Sequence, residues 1–232
     1  MNHKLAAIAF APLLLAQGRH VRRVTPRLPE AAGARHGTIG TGKPLRLLIV
    51  GDSSAAGVGV ATQDAALSGQ LVARLAPHFE LTWRLIATTG HTARDTLAAV
   101  ECTDAEAFDI AVLAVGVNDV TGGTALKRWR TDLSDLCTTL ESRFGVRRIL
   151  LTPVPPMQAF PALPQPLRWY LGQAAVSLNR ALLQLTASHP HWECVNPHFP
   201  LTPAFMAADG FHPGAAAYAL WAQAMATAIQ QG

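Results

Sequence analysis

From Leu45 onward, short apolar runs alternate with longer segments whose apolar residues recur every three or four positions. That alternation is the signature of a parallel sheet covered by helices on both faces, so the class is α/β. The apolar runs predict five strands, over residues 46–51, 81–88, 109–116, 147–152 and 193–196. Between the third and fourth, Leu126, Trp129, Leu133, Leu136, Leu140 and Phe144 fall on one helical stripe with charges between them. Cys137 lies on the same stripe and is expected in the core. Two later helices read the same way, one from Leu171 through Leu178, Leu182 and Leu185, the other from Tyr218 through Trp221, Met225 and Ile229. Five strands and these helices make a doubly wound sheet.

The first 44 residues break this pattern and divide in two. Residues 1–17 hold an apolar run from Leu5 to Ala16, and residues 18–44 form a basic stretch rich in Pro and Gly that reads as a linker, leaving 45–232 as the main domain. Twelve helical residues span only about 18 Å, against about 30 Å of hydrocarbon, and Pro12 weakens the helix further. A full membrane span is therefore not expected. Three readings stay open. The run and the Arg19, Arg22 and Arg23 that follow it fit contact with an anionic membrane surface through residues 1–27, which is the favoured one. A cleaved export signal with an Ala9-Phe10-Ala11 or Leu14-Leu15-Ala16 site is the second. An ordinary packed helix is the third.

Charge narrows the partners. The net charge is +4 over 232 residues, but residues 1–43 hold seven Lys or Arg against one acid, and the remainder holds 12 against 14. The body is slightly acidic, whereas a nucleic-acid-binding domain places its basic surface there, so no nucleic-acid partner is expected. Half the residues are hydrophobic and only 15% are charged, which excludes a disordered chain. Cys102, Cys137 and Cys194 cannot all pair and show no zinc spacing, so they read as buried thiols. Gly57-Val58-Gly59 lacks the spacing of a dinucleotide loop and any P-loop lysine, and no metal or cofactor is expected.

In open α/β sheets, ligands bind at the carboxyl ends of the strands, so the residues directly after each apolar run carry the chemistry. After the first comes Gly51-Asp52-Ser53-Ser54; after the second, Thr88-Thr89-Gly90-His91; after the third, Gly116-Val117-Asn118-Asp119; and before the last helix, Asp209-Gly210-Phe211-His212-Pro213. In that order they offer a nucleophile, two donors, an orienting acid and a base.

With these four blocks the chain resembles the SGNH hydrolases, also called the GDSL esterase and lipase family, whose name records a Ser, a Gly, an Asn and a His. The resemblance spans residues 45–229. It implies a three-layer α/β/α, flavodoxin-like fold and ester hydrolysis without a cofactor. It also implies that Ser53 is the nucleophile, that Asp209 and His212 complete the triad, and that Ser53, Gly90 and Asn118 form the oxyanion hole. The first block departs from the family name, with Ser54 in place of leucine.

Ester cleavage requires these residue types. A serine hydroxyl is a poor nucleophile near neutral pH and needs a base to take its proton, here His212. The imidazole must be neutral, oriented, and stabilised once it becomes cationic; Asp209, three residues away, supplies all three. Pro213 is expected in the first turn of the final helix, giving His212 a rigid mount. Charge developing on the carbonyl oxygen needs donors fixed beforehand, and the N–H groups of Ser53 and Gly90 and the Asn118 amide are the candidates. Asp52 and Asp119 are expected to accept backbone N–H bonds that hold the nucleophile and Asn118 loops. His91 reads as a polar loop residue, and His189, His191 and His198 form no metal motif. In the Pro-rich stretch 153–170, Met157, Phe160, Leu163 and Trp169 are candidates for the wall of an acyl pocket.

The sequence thus favours a serine hydrolase acting on small-molecule or lipid esters, thioesters included. Two alternatives are a carbohydrate O-acetyl esterase and a non-catalytic flavodoxin-like module at a membrane surface.

Overall fold

The computed structural model describes residues 10–231. The run Leu47 to Val50 has no solvent exposure at all, as a strand covered on both faces requires. It lies in β2 (Lys43–Gly51), the centre of the sheet. The other strands are β1 (His36–Ile39), β3 (Phe79–Ala87), β4 (Ile110–Ala114), β5 (Arg148–Leu151) and β6 (Trp192–Cys194). Their order is β1-β3-β2-β4-β5-β6. β2 to β6 pair in parallel, while β1 pairs antiparallel with β3.

Side chains alternate across β2, so its two faces feed two cores. Leu47 and Ile49 pack with α2 (Leu67–Leu75) and α7 (Ala215–Gln231). Leu48 and Val50 pack with α3 (Ala93–Glu101), α5 (Leu126–Phe144) and α6 (Leu167–Ser188). Each such aliphatic side chain contributes about 1.5–3 kcal/mol on burial, so this one run commits the chain to the three-layer arrangement. The α5 stripe is buried from Trp129 to Phe144, Cys137 included, while Leu126 on the first turn is exposed, and Gly145 ends the helix in the left-handed conformation with φ 64°.

The parallel strands follow the flavodoxin-like order, and its switch point falls at β2, whose neighbours β3 and β4 are reached by chain segments leaving in opposite directions. Both crossovers leave a crevice at the carboxyl end of β2. That is where the Gly51-Asp52-Ser53 block emerges.

Three sequence expectations are corrected. The sheet has six strands, because residues 36–39 of the supposed linker form β1 at its edge; with a largely exposed His-Gly-Thr-Ile sequence, β1 carries no apolar run to announce it. Pro213 is outside the final helix, in a bridge with Met206, and α7 begins at Ala215. Cys102 is exposed and Cys194 half-buried, leaving Cys137 alone as a buried thiol.

The N-terminal run falls partly outside the described residues, which begin at Phe10. From there α1 (Ala11–Val24) lies on the body: Val21 is buried, Leu14 packs against the core, and the Gln17 amide donates to the Gln165 carbonyl at 2.7 Å and accepts from Leu167 N–H at 3.1 Å. Among the described residues no helix is long and apolar enough to cross a membrane.

Candidate active site

The Ser53 loop starts where β2 ends. Asp52 N–H donates to the Ala114 carbonyl of β4, and Ala56 and Val58 N–H groups donate back to the Asp52 and Ser53 carbonyls, coiling the chain tightly after the strand. The buried Asp52 carboxylate accepts both the Ser54 N–H at 3.0 Å and the Ser54 hydroxyl at 2.8 Å. Burial pushes the Asp52 carboxyl up, opposed by those Ser54 bonds. The serine that departs from the family pattern is therefore a partner of this carboxylate. Ser53 itself is 8% exposed.

His212 arrives on a second tight turn. Ala207 N–H donates to the His212 carbonyl, Gly210 N–H donates to the Ala207 carbonyl, and Gly210 takes φ 66°. Asp209 folds back under this turn: one carboxylate oxygen accepts the N–H groups of Phe211 at 2.9 Å and His212 at 3.0 Å, and the other meets His212 Nδ1 at 2.6 Å. Burial works against the Asp209 carboxylate, but these three bonds outweigh it and hold the carboxyl below its ordinary range. The opposite ring nitrogen, His212 Nε2, lies 2.8 Å from Ser53 Oγ. With Nδ1 carrying its proton toward Asp209, Nε2 presents a lone pair to the serine hydroxyl.

The second and third blocks meet beside this line. Gly90 takes φ 88°, a conformation that favours glycine, and a Cβ there would touch nothing, so the backbone shape and not crowding demands the residue. The next residues open α3 with a capping box, Thr92 and Asp95 each accepting the other's backbone N–H. α4 (Val117–Gly122) carries Asn118, whose amide donates to the His91 carbonyl at 2.9 Å and so ties the two loops together. Among the described residues, neither the Ser53 nor the Gly90 N–H is taken up by another group. Asp119 bonds elsewhere than its own loop, accepting Ala93 N–H at the start of α3 at 2.9 Å. Burial pushes its carboxyl up to about 6, and its other oxygen has no partner.

A cleft of about 1780 Å³ opens over Ser53 and His212. Asn118 and Thr89 line it, as do Phe160 and Leu163 of the Pro-rich stretch; Gly90, Met157 and Trp169 do not. Met157 sits in a short 3-10 turn that points it into the core with no exposure. Trp169 lies on the first turn of α6, half-buried and away from the cleft wall. Sequence reasoning missed the opposite wall altogether: Leu14, Val21 and residues 25–30 of the N-terminal stretch line the same cleft. Among the described residues no three His, Cys, Asp or Glu side chains gather as metal ligands.

Comparison with known proteins agrees with this fold. The sequence profile of the GDSL-like lipase/acylhydrolase family matches residues 49–220. A GDSL-like esterase of Mycobacterium tuberculosis is 30% identical over 241 residues, covering 94% of this chain and 76% of that protein. Among solved structures, the psychrotrophic esterase EstA from Pseudoalteromonas sp. superposes with a TM-score of 0.61 at 18% identity, over 80% of this chain and 97% of the other. Acetylxylan esterase Axe2 from Geobacillus stearothermophilus gives 0.59 at 19% identity, over 81% and 95%. These structural likenesses are likenesses of fold.

Proposed function

The chain belongs to the GDSL-like lipase/acylhydrolase family and is an ester hydrolase of the SGNH type, and from that premise we propose that it cleaves carboxylic esters through an acyl-enzyme on Ser53. The observation that carries the reading is the unbroken line from Asp209 through His212 to Ser53, at 2.6 Å and 2.8 Å, opening on the cleft.

In this reading Ser53 Oγ attacks the ester carbonyl carbon as His212 Nε2 takes the hydroxyl proton. The carbonyl oxygen becomes an oxyanion held by the N–H groups of Ser53 and Gly90 and the second amide hydrogen of Asn118. Collapse of the tetrahedral species breaks the bond to the leaving oxygen, which departs as an alcohol carrying the proton from His212. Water then gives a proton to His212 and attacks the acyl-enzyme carbonyl; as the second tetrahedral species collapses, His212 returns the proton to Ser53 Oγ, releasing the carboxylic acid and free Ser53. Asp209 stays ionised and stabilises the imidazolium at both stages. The same sequence serves a thioester, with a thiol leaving instead.

Phe160, Leu163 and Leu14 give the cleft an apolar wall suited to an acyl chain. An O-acetyl sugar esterase, by contrast, draws only on the fold shared with Axe2. Hydrolysis of aryl esters of increasing acyl length, set against acetylated xylo-oligosaccharides, separates the two. The decisive test of the mechanism is labelling by a fluorophosphonate, mapped to Ser53 by peptide mass spectrometry and absent in Ser53→Ala. A folded wild-type protein that takes no label refutes it.

A further inference from the structure

The family match begins at residue 49, yet a piece of chain well before it is stitched into the candidate site. Glu30 accepts the N–H of Thr89, the residue next to Gly90, at 2.7 Å. Its other carboxylate oxygen pairs with Arg35 at 2.5 Å, and Arg35 in turn donates to the Ala87 carbonyl at the end of β3 at 2.8 Å. Glu30 and Arg35 thus grip the chain on both sides of Thr88. The following residues hold the nucleophile side. Ala31 N–H donates to the Ala56 carbonyl at 3.2 Å, and the buried Gln63 amide donates to both the Ala31 and Ala56 carbonyls at 3.1 Å and 3.0 Å. Ser68 donates to the Gln63 amide oxygen at 2.6 Å, fixing that amide's orientation.

Residues 30–35 therefore bridge the loop that carries Ser53 and the loop that carries Gly90. The turn around Gly90 needs such support, because Thr88, Thr89 and Gly90 are all exposed. Its backbone–backbone bonds are long: Thr88 N–H to the Gly51 carbonyl and His91 N–H to the Thr88 carbonyl are both 3.3 Å. The 2.7 Å bond to a carboxylate is the strongest restraint on it, since charge-assisted bonds are shorter and about twice as strong as neutral ones. Burial opposes ionisation of Glu30, but the Thr89 and Arg35 contacts prevail and hold its carboxyl below the ordinary value, so the charged form is the one present at neutral pH.

We propose that Glu30 is a positioning residue for ester hydrolysis, whose carboxylate, braced by Arg35, fixes the 88–91 turn in the shape that presents the Gly90 N–H to the oxyanion. The proposal rests on the oxyanion role given to Gly90 above. It makes residues 30–35 part of the catalytic unit, ahead of the family-matched stretch.

The test compares wild type, Glu30→Ala and Glu30→Gln on a p-nitrophenyl ester, together with hydrogen exchange at the Thr89 amide. Removing one oxyanion donor costs about 10² to 10³ in turnover, and loosening its loop is expected to cost less, about tenfold in kcat with KM changed less than twofold. Glu30→Gln recovers part of that loss, because its amide oxygen still accepts the Thr89 N–H while the charge and the Arg35 brace are lost. The Thr89 amide is protected in wild type and exchanges freely in Glu30→Ala. Wild-type kcat in a folded Glu30→Ala, or equal losses in both variants, overturns the proposal. If Glu30→Ala does not fold, an unprotected Thr89 amide in wild type still overturns it. A wild-type protein that is not labelled at Ser53 brings down the hydrolase mechanism itself. Normal labelling with an unaffected Glu30→Ala removes only the brace.

Discussion

Gly59 decides whether His212 can reach Ser53. It takes φ 107°, and a Cβ built on it would overlap the Pro213 carbonyl oxygen while lying 3.0 Å from the Ala207 Cβ and 3.4 Å from the His212 Cβ. The chain after Ser53 thus passes against the turn that carries His212, closer than any side chain permits. In Gly59→Ala the overlap has to be relieved, and non-bonded carbon atoms rest about 3.5 Å or more apart, so the 207–213 turn must retreat by about 1 Å. The Nε2 to Oγ contact of 2.8 Å then lengthens beyond hydrogen-bond reach. A misplacement of that size costs about 10² in rate, or about 2.7 kcal/mol of barrier. Strain from the positive φ adds about 1–3 kcal/mol of destabilisation. The assay is kcat/KM on a p-nitrophenyl ester for a purified variant whose folding is checked by circular dichroism. A folded Gly59→Ala with wild-type kcat/KM would show that the two loops do not set each other's position, and the mechanical argument would fail.

Three further outcomes are expected. Asn118→Ala removes the proposed oxyanion donor and also frees the His91 carbonyl, so kcat is expected to fall about 10² to 10³ with folding retained; a loss under threefold in steady-state assays removes Asn118 from the proposed oxyanion hole. The Asp119 carboxyl, raised to about 6 from 3.8, keeps a proton in the folded chain that the unfolded chain has already released, so stability drops as pH rises from about 4 to about 6. Asp119→Asn abolishes that slope, worth about 3 kcal/mol at most, as read by urea unfolding at pH 4 and pH 7; an unchanged slope assigns it to other groups. Tyr218→Phe leaves the buried Val58 carbonyl without the hydroxyl that donates to it at 2.8 Å, costing about 1–3 kcal/mol, and calorimetry with no change in melting temperature would refute that.

Sequence patterns exposed what depends on near neighbours. The Leu47–Val50 run announces a central strand because burial on both faces demands four consecutive apolar residues. The Asp209 and His212 pairing is equally local, since one turn of chain brings the carboxylate to the ring. Ser53 and Gly90 could be placed because each follows directly on a strand whose carboxyl end fixes it at the switch point. What stayed hidden is what depends on distant partners or weak patterns. α2 and α3, nine residues each, are too short for a helical stripe to stand out. Met157 and Phe160 differ by three positions in one Pro-rich stretch and both are buried in the core, yet of the two only Phe160 also borders the cleft.

The N-terminal stretch shows the same limit most fully. Its Pro, Gly and Arg content resembles a linker because its apolar contacts, Leu14 and Val21 against the core, form no continuous run. It is held as well by polar bonds reaching 59 positions to Thr89, 52 to Ala87 and 32 to Gln63. A single acidic residue among seven basic ones in residues 1–43 was legible as a count. Its meaning was not, because a carboxylate that caps one exposed N–H leaves no periodicity behind. The segment that composition marks as dispensable therefore supplies one wall of the cleft and the only carboxylate bonded to the Gly90 turn among the described residues. Deleting residues 1–35 is accordingly expected to damage turnover while the sheet and most of both cores survive, since among the described residues of that segment Val21 alone belongs to a buried core cluster.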